Sequence, residues 1–434
     1  MAIFRSKPYK VYGKIQRIGG IYIEATVPHG KVGDLVEIKT PSGDIPGEII
    51  SLSGSRAVIM PFSNLYGIGR DAKIDVKGIP VSVYVGESLI GKVVNAFGIP
   101  LDRESPLLDT FPLEVKLEPI NPLLKEKIKE PFDTGIRAIN GLYTLGKGQK
   151  VGIFAAAGVG KTTTLGMITR YSQADLVILS LIGERGREVK EFVEDVLGKE
   201  GMKKSIVVVS TADEPPVNKV KAAFASMVMA RYFALEKGLN VLFMMDSITR
   251  FAMAKRELGL ASGEPPTTKG YTPSVFYDLS LLAESCGNFS KGSITGIFSV
   301  LVEGDDITDP VADFMIGVLD GHIILSRKRA YENIYPAIDP LKSISRIMPN
   351  VVPPEVYEAS QYIKSVYATY EKMEDVINLG IYKKGSNPQV DLAIEAKPLI
   401  DNYFKQRVNE KVDLKTSWRQ LLQLYNKIKQ MEVA

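Results

Sequence analysis

The residues whose types and spacing best suit chemistry form a short turn that ends in a lysine and two threonines. Residues 154–163 read Phe-Ala-Ala-Ala-Gly-Val-Gly-Lys-Thr-Thr. Backbone N–H groups in such a turn, at the positive end of the following helix, suit a polyphosphate. The ammonium of Lys161 would then reach the β- and γ-phosphates, and the hydroxyl of Thr162 would bind Mg²⁺. We therefore predict a nucleotide site with these phosphate-binding residues: Ala156, Ala157, Gly158, Val159, Gly160, Lys161, Thr162 and Thr163.

The elements on either side of this turn are the ones that a phosphate-binding loop requires. The apolar run at 150–154 predicts a short buried strand, and residues 162–171 predict a helix. Strand, glycine-containing turn and helix in this order are the expected context of a P-loop. The first glycine of the usual pattern is replaced here by Ala155. The alternative interpretation is a tight turn before an ordinary helix.

Two further segments carry acids and arginines at the ends of apolar runs. Residues 241–246 are five apolar residues followed by Asp246, which we expect at the carboxyl edge of the same sheet, holding Mg²⁺. Residues 181–189 read Leu-Ile-Gly-Glu-Arg-Gly-Arg-Glu-Val. We predict that Glu184 polarises the attacking water, that Arg185 meets the γ-phosphate and that Glu188 reaches the Mg²⁺ waters. The alternative for Asp246 is an aspartate that only caps the end of its strand. The alternative for residues 181–189 is a solvated, charged helix start.

Composition narrows the classes of protein and of site. The 434 residues suggest two to four domains, with 45% hydrophobic and 24% charged residues, as in globular proteins. One cysteine excludes an internal disulfide framework, and two histidines exclude histidine-rich metal chemistry. A net charge of +4 offers no independent case for nucleic-acid binding. Since no 18-residue apolar run and no signal-peptide pattern occur, we expect a cytoplasmic protein.

The order of patterns along the chain predicts a multidomain α/β protein. Short alternating runs predict a small N-terminal β-barrel over 1–80, and a proline-rich linker over 81–130 leads into the next domain. Apolar strands that alternate with helices over 131–350 predict a central α/β domain in which a parallel sheet, covered on both faces, carries the P-loop. Apolar residues at steps of three and four after Pro353 predict a C-terminal helical domain over 351–434.

These motifs together resemble the catalytic subunits of rotary ATP synthases and their relatives. The resemblance rests on residues 158–162, 183–188 and 246–251, with support from 91–102, 133–139, 304–310, 334–340 and 343–346. Within that group the chain most resembles the family of flagellar protein-export ATPases, through residues 251–257, 263–276, 288–295 and 382–388. The injectisome ATPases of virulence secretion systems are the near alternative.

The resemblance implies that residues 131–350 form a P-loop, RecA-like parallel α/β ATPase domain. It also implies a homohexameric ring with ATP sites between neighbouring subunits. It implies that Lys161 and Thr162 bind phosphates and Mg²⁺, that Glu184 is the catalytic glutamate and that Asp246 is the second acid. Arg250 would line the phosphate region, Tyr335 would stack on adenine, and Arg346 would be an arginine finger in the neighbour's site. Without the resemblance, Tyr335 reads as a packed core ring and Arg346 as a surface arginine that caps a helix. The catalytic set is thus Lys161, Glu184, Arg185 and Arg346.

The resemblance also implies partners and a location. The expected partners are a regulatory stalk protein, a central-stalk-like protein, a membrane export gate, export substrates and their chaperones, and no nucleic acid. The expected location is the cytoplasm, peripheral at the inner face of the membrane. Two other classes stay open: a non-catalytic ring subunit, which Glu184 argues against, and a nucleic-acid motor similar to the Rho terminator. Asn140 stands where the resemblance leads us to expect an acid.

Overall fold

The computed structural model describes residues 11–102, 107–302 and 308–433, beginning with a closed six-stranded barrel. Its strands lie in the order β1-β2-β5-β4-β3-β6. Alternate residues point inward, so that Val36 and Ile38 of one strand are fully buried while their neighbours are half-exposed. The predicted N-terminal barrel is confirmed. The strands are β1 (Gly13–Ile18), β2 (Ile23–Thr26), β3 (Asp34–Thr40), β4 (Gly43–Ser53), β5 (Arg56–Pro61) and β6 (Lys73–Pro80).

The stretch that we predicted as a linker packs onto the central domain. It contains β7 (Ser82–Val85), β8 (Val93–Val94) and β9 (Phe111–Glu114). Strand β8 adds an edge to the central sheet, and β7 pairs with β9. The side chains of Val83, Leu89 and Val94 belong to the same hydrophobic cluster as that sheet. The buried apolar residues of this stretch thus attach it to the core of the central domain.

The central domain is an α/β sandwich around a largely parallel sheet. Its strands are β10 (Pro131–Phe132), β11 (Leu145–Gly146), β12 (Lys150–Ala155), β13 (Leu176–Glu184), β14 (Ser205–Thr211), β15 (Asn240–Asp246), β16 (Gly287–Asn288), β17 (Ser293–Leu301), β18 (Gly321–Leu325) and β19 (Ile344–Ser345). Its helices are α1 (Arg137–Leu142), α2 (Lys161–Tyr171), α3 (Gly186–Glu191), α4 (Gly198–Met202), α5 (Pro216–Arg231), α6 (Ile248–Ala261), α7 (Pro273–Glu284), α8 (Pro310–Val318), α9 (Arg327–Tyr331) and α10 (Met348–Val351). The π-helical segments Phe192–Leu197 and Tyr232–Glu236 continue α3 and α5.

The order of strands in the sheet decides which segments meet. The sheet reads β19-β18-β12-β17-β15-β13-β14-β8, and all of its pairs are parallel except for β18 with β19 and the side strand β16 with β17. The predicted parallel sheet is therefore confirmed, with one hydrophobic cluster on each face. Because parallel strands share a carboxyl edge, the segments that follow β12, β13 and β15 converge there.

Three helices form the C-terminal region. They are α11 (Pro354–Asn378), α12 (Pro388–Phe404) and α13 (Leu414–Val433). The predicted seam on α11 buries Val356, Ala359, Ile363 and Val366, whereas Tyr370, Met373 and Ile377 farther along are only half-buried. None of the helices in the described part of the chain is both long and apolar enough to cross a membrane. Most of the motif at 304–310 lies outside the described residues.

One amide side chain ties the C-terminal region to the central domain. Asn140 is fully buried, and its Oδ1 accepts hydrogen bonds from the backbone N and the hydroxyl of Thr134, at 3.0 and 2.8 Å. Its Nδ2 donates to Asp133 Oδ1 at 2.7 Å and to the carbonyl of Val412 at 3.2 Å. The acid that we expected at this position could not donate these last two bonds. The structure thus explains why position 140 is an asparagine rather than an acid.

We predict that Asn140→Asp lowers the free energy of unfolding by about 2 kcal/mol at pH 8, since a carboxylate would face Asp133 and leave the Val412 carbonyl unpaired. The measurement is urea unfolding followed by the emission of Trp418, the chain's one tryptophan, whose Nε1 donates to the Asn140 carbonyl at 2.9 Å. Asn426→Asp, at an exposed position of α13, is the matched control. Equal midpoints for the two variants would contradict this account.

Candidate active site

The phosphate-binding turn has the backbone that its sequence requires. Gly158 and Gly160 have φ values of 83° and 86°, in the left-handed region that favours glycine. Ala155 is the last residue of β12 and is fully buried, paired with Leu301 and Leu325 of the flanking strands. The methyl group that replaces the usual glycine therefore lies in the sheet core rather than in the turn. Helix α2 starts at Lys161, so that its free N–H groups face the turn.

Two acids from neighbouring strands converge on the lysine of this turn. The ammonium of Lys161 forms an ion pair with Asp246 Oδ1, and it lies 4.0 Å from Glu184 Oε1. The hydroxyl of Ser299, on β17 at the other side of β15, donates to the same Asp246 oxygen at 2.5 Å. The three charged side chains are only 5 to 16% exposed. The structure thus brings together the lysine and the two acids that the sequence singled out.

The environment of Glu184 favours its protonated form. Burial raises the pKa of this carboxyl to about 7, and the negative charge of nearby Asp246 adds to the increase. The cation of Lys161 opposes the shift, while a hydrogen bond with Glu188 supports it. A carboxyl that titrates near neutral pH is suited to accept a proton from water and to release it again.

The remaining charged residues of the motif lie at the exposed start of α3. The guanidinium of Arg185 is 81% exposed and pairs with Glu188 at 3.3 Å, so in a single chain it does not point into the lysine–acid cluster. Arg250 packs its methylenes over Gly183, where an added Cβ would lie 3.1 Å from Arg250 Cβ. The same arginine and Ala157 of the turn line a cavity of about 290 Å³.

A second, more apolar cavity of about 540 Å³ lies beside α2. Tyr335 forms one wall, with its ring 3.5 Å from where a Cβ on Gly160 would stand, and it is 43% exposed rather than packed in the core. The opposite wall comes from the connection between α12 and α13, residues 406–409. We did not predict this wall. An apolar slot next to a phosphate-binding turn has the shape that a nucleotide base requires.

Arg346 lies at the other end of the sheet. It follows β19, which runs antiparallel to β18 and ends beside Asp320 at the amino edge. Its guanidinium donates to the carbonyls of Leu319 and Ile316, at 3.2 and 3.3 Å, at the C-terminal end of α8. The side chain thus caps a helix of its own chain, and the P-loop of that chain lies across the sheet from it.

Known proteins match this chain along nearly its whole length. The nucleotide-binding domain of the ATP synthase alpha/beta family matches residues 135–345, and the T3SS EscN ATPase C-terminal domain matches residues 352–423. The flagellum-specific ATP synthase of Aquifex aeolicus (strain VF5) is 53% identical over 97% of this chain and 95% of its own. The chain belongs to the family of flagellar and type III secretion ATPases.

Solved structures agree with this assignment. The assembled ATPase EscN of the enteropathogenic E. coli type III secretion system superimposes with a TM-score of 0.90, at 41% identity over 95% of this chain and 100% of that one. EscN in complex with its central stalk EscO gives a TM-score of 0.88 at 40% identity. The higher identity to the flagellar relative supports the flagellar branch over the injectisome branch and over a nucleic-acid motor. The protein is an export-type ATPase that binds ATP.

The site of this ATPase fits Mg²⁺ only together with a substrate. The described residues contain no group of three or more His, Cys, Asp or Glu side chains suited to a metal ion. Mg²⁺ usually binds one or two carboxylates and completes its shell with waters and substrate phosphates. Asp246 at the sheet edge and the exposed Thr162 in the first turn of α2 are residues of that kind.

The raised pKa of Glu184 predicts a pH-dependent gain in stability for Glu184→Gln. Between pH 4.5, the ordinary pKa, and about 7, the folded chain holds a proton that the unfolded chain releases, so stability falls as the pH rises. The amide removes this loss, and we expect a gain of about 1–2 kcal/mol at pH 8 that disappears toward pH 4.5.

The measurement is thermal unfolding of the nucleotide-free chain at several pH values. Glu200→Gln, at a glutamate that is 79% exposed, is the control and should change nothing with pH. A gain for Glu184→Gln that is the same at all pH values, or no gain at pH 8, would refute the assignment of the titration to Glu184.

Proposed function

We propose that the chain hydrolyses Mg-ATP at the interfaces between neighbouring copies in a homohexameric ring, and that this hydrolysis serves flagellar protein export. The observation that carries the catalytic part is the convergence of Lys161, Glu184 and Asp246 at one sheet edge. The pKa of about 7 at Glu184 supports its role as the group that activates water.

Each residue of the site has its own role in binding ATP or in hydrolysing it. The backbone N–H groups of 156–160 and the ammonium of Lys161 bind the phosphates, so that Lys161 exchanges part of its contact with Asp246 for phosphate oxygens. Thr162 and Asp246 would hold Mg²⁺, and Glu188 would reach its waters; the ion would neutralise phosphate charge. Glu184 accepts a proton from the attacking water at its carboxylate. Arg250 lines the phosphate region, and Tyr335 stacks on adenine.

Arg346 completes the site of the neighbouring chain. It lies at the amino edge of its own sheet, so it serves no phosphate at its own carboxyl edge. A ring of heterologous interfaces brings unlike surfaces of two copies together, which is the arrangement that an arginine supplied in trans requires. Arg185, exposed at the start of α3, is a second cation that meets the γ-phosphate once the interface has formed.

The export role rests on the relatives. Flagellum-specific and type III secretion enzymes are its homologues, and EscN was solved with a central stalk. For this chain we propose a central-stalk-like partner, a regulatory stalk protein and a membrane export gate, with export substrates and chaperones as cargo and no nucleic acid. The ring would work in the cytoplasm, at the inner face of the membrane.

We expect that Glu184→Gln and Arg346→Ala chains each lose ATPase activity by about 10³-fold, and that mixing them restores part of it. In rings assembled from a 1:1 mixture, roughly one interface in four pairs an intact Glu184 with an intact Arg346 of the neighbour. The ATPase rate of the mixture should therefore approach a quarter of the native rate.

The matched control is a mixture of Glu184→Gln with Lys161→Ala. Both changes lie on the same side of the interface, so no site in such a ring has an intact lysine–acid cluster and activity should stay low. If the first mixture also stays inactive after confirmed subunit exchange, or if Arg346→Ala alone keeps native activity, the shared site must be given up.

A further inference from the structure

The base cavity beside α2 is built from three separate stretches of chain. One wall is the start of α2 with Gly160, the second is Tyr335 with Pro336, and the third is the segment 406–409 between α12 and α13. The third wall lies at the cavity only because the C-terminal helices pack against the central domain. Its position must therefore be held by specific contacts.

Gln406 makes those contacts. It is only 6% exposed, and its backbone N donates to the carbonyl of Tyr335 at 2.9 Å. Its Nε2 donates to the carbonyls of Gly135 and Glu410, both at 2.8 Å. Its Oε1 accepts from the backbone N of Arg137 at 2.7 Å. The side chain thus joins the segment that leads into α1 to Glu410, just beyond the third wall, while the backbone of the same residue joins that wall to the base-stacking tyrosine.

A second set of bonds fixes the same wall to the far end of α2. The carbonyl of Val408 accepts from Arg170 Nη2 at 2.9 Å and from the hydroxyl of Tyr171 at 3.1 Å. Arg137 Nη2 pairs with Glu410 Oε1 at 2.7 Å. Since α2 begins at the phosphate-binding turn, the base wall and the phosphate site are attached to the two ends of one rigid helix.

We propose that Gln406 is a positioning residue for the nucleotide base: it holds Tyr335 and the segment 407–409 at the spacing that a purine requires. This inference rests on the proposed ATP site. The role needs an amide, because the side chain must donate two hydrogen bonds and accept one in a dry place. A glutamate would place a carboxylate against two carbonyls, and an alanine would remove the acceptor of the Arg137 N–H and the side-chain donor to the Glu410 carbonyl.

Gln406 should affect the binding of the nucleotide and not the chemical step of hydrolysis. The lysine–acid cluster lies at the phosphate end and shares no hydrogen bond with Gln406. Loss of the Gln406 amide should therefore weaken the binding of ligands that carry a base and leave the chemical step unchanged. Interactions that act equally on the ground state and the transition state alter KM without altering kcat.

The test compares inhibition of the native ATPase and of Gln406→Ala by two probes, ADP and inorganic pyrophosphate. Both probes occupy the phosphate site, but only ADP has a base. We expect the KM for ATP and the Ki for ADP to rise about tenfold, with kcat and the Ki for pyrophosphate within about twofold of native. Gln423→Ala, at an exposed glutamine of α13, is the matched control and should alter none of these values.

Arg170→Ala provides an independent variant in case Gln406→Ala does not fold. It removes one donor to the Val408 carbonyl and leaves the Gln406 side chain in place, so a smaller rise in KM with the same selectivity for ADP is expected. The inference would be overturned if the Ki for ADP and the Ki for pyrophosphate rose equally, or if KM and both Ki values were unchanged in both variants. A native chain that neither hydrolyses ATP nor binds pyrophosphate would instead overturn the proposed function.

Discussion

The nucleotide end of the molecule depends on one charge balance at the carboxyl edge of the sheet. A single ammonium, that of Lys161, lies among two carboxylates in a place that is nearly closed to water. Burying unpaired charge is costly, so one acid takes the ion pair and the other retains its proton up to about neutral pH. The excess of carboxylates over ammonium groups favours a ligand that carries its own cation. It also raises the pKa of Glu184 into the range that suits a group that accepts a proton from water.

The direction of the strands separates Arg346 from the phosphate-binding turn of its own chain. Parallel strands deliver the turn, Glu184 and Asp246 to one edge, while the antiparallel β19 returns the chain to the opposite edge and leaves Arg346 there. No local rearrangement can carry a side chain across the length of the sheet. Under the proposed function an arginine at this position would act on a neighbour, and strand direction alone would then make hydrolysis depend on assembly.

The C-terminal helices are joined to the nucleotide site through amide side chains. Asn140 and Gln406 each donate and accept hydrogen bonds in the buried seam between the two regions, which no carboxylate or ammonium could do. Such fully satisfied networks are rigid because any shift leaves a buried polar group unpaired. The base wall therefore moves only if the docking of α12 and α13 changes with it.

The sequence by itself determined the elements and the chemistry near them in the chain: the P-loop after a buried strand, the acids that end two other strands, the barrel and the helical region. These are local patterns, and each strand-ending acid needed only the rule that parallel strands share an edge. Only the tertiary structure decided what depends on distant segments. Four features are of this kind: the packing of 81–102 and 107–117 against the sheet, the cavity wall at 406–409, the donors required of Asn140 and the placement of Arg346. They follow from docking and strand direction, and short-range periodicity carries no information about either.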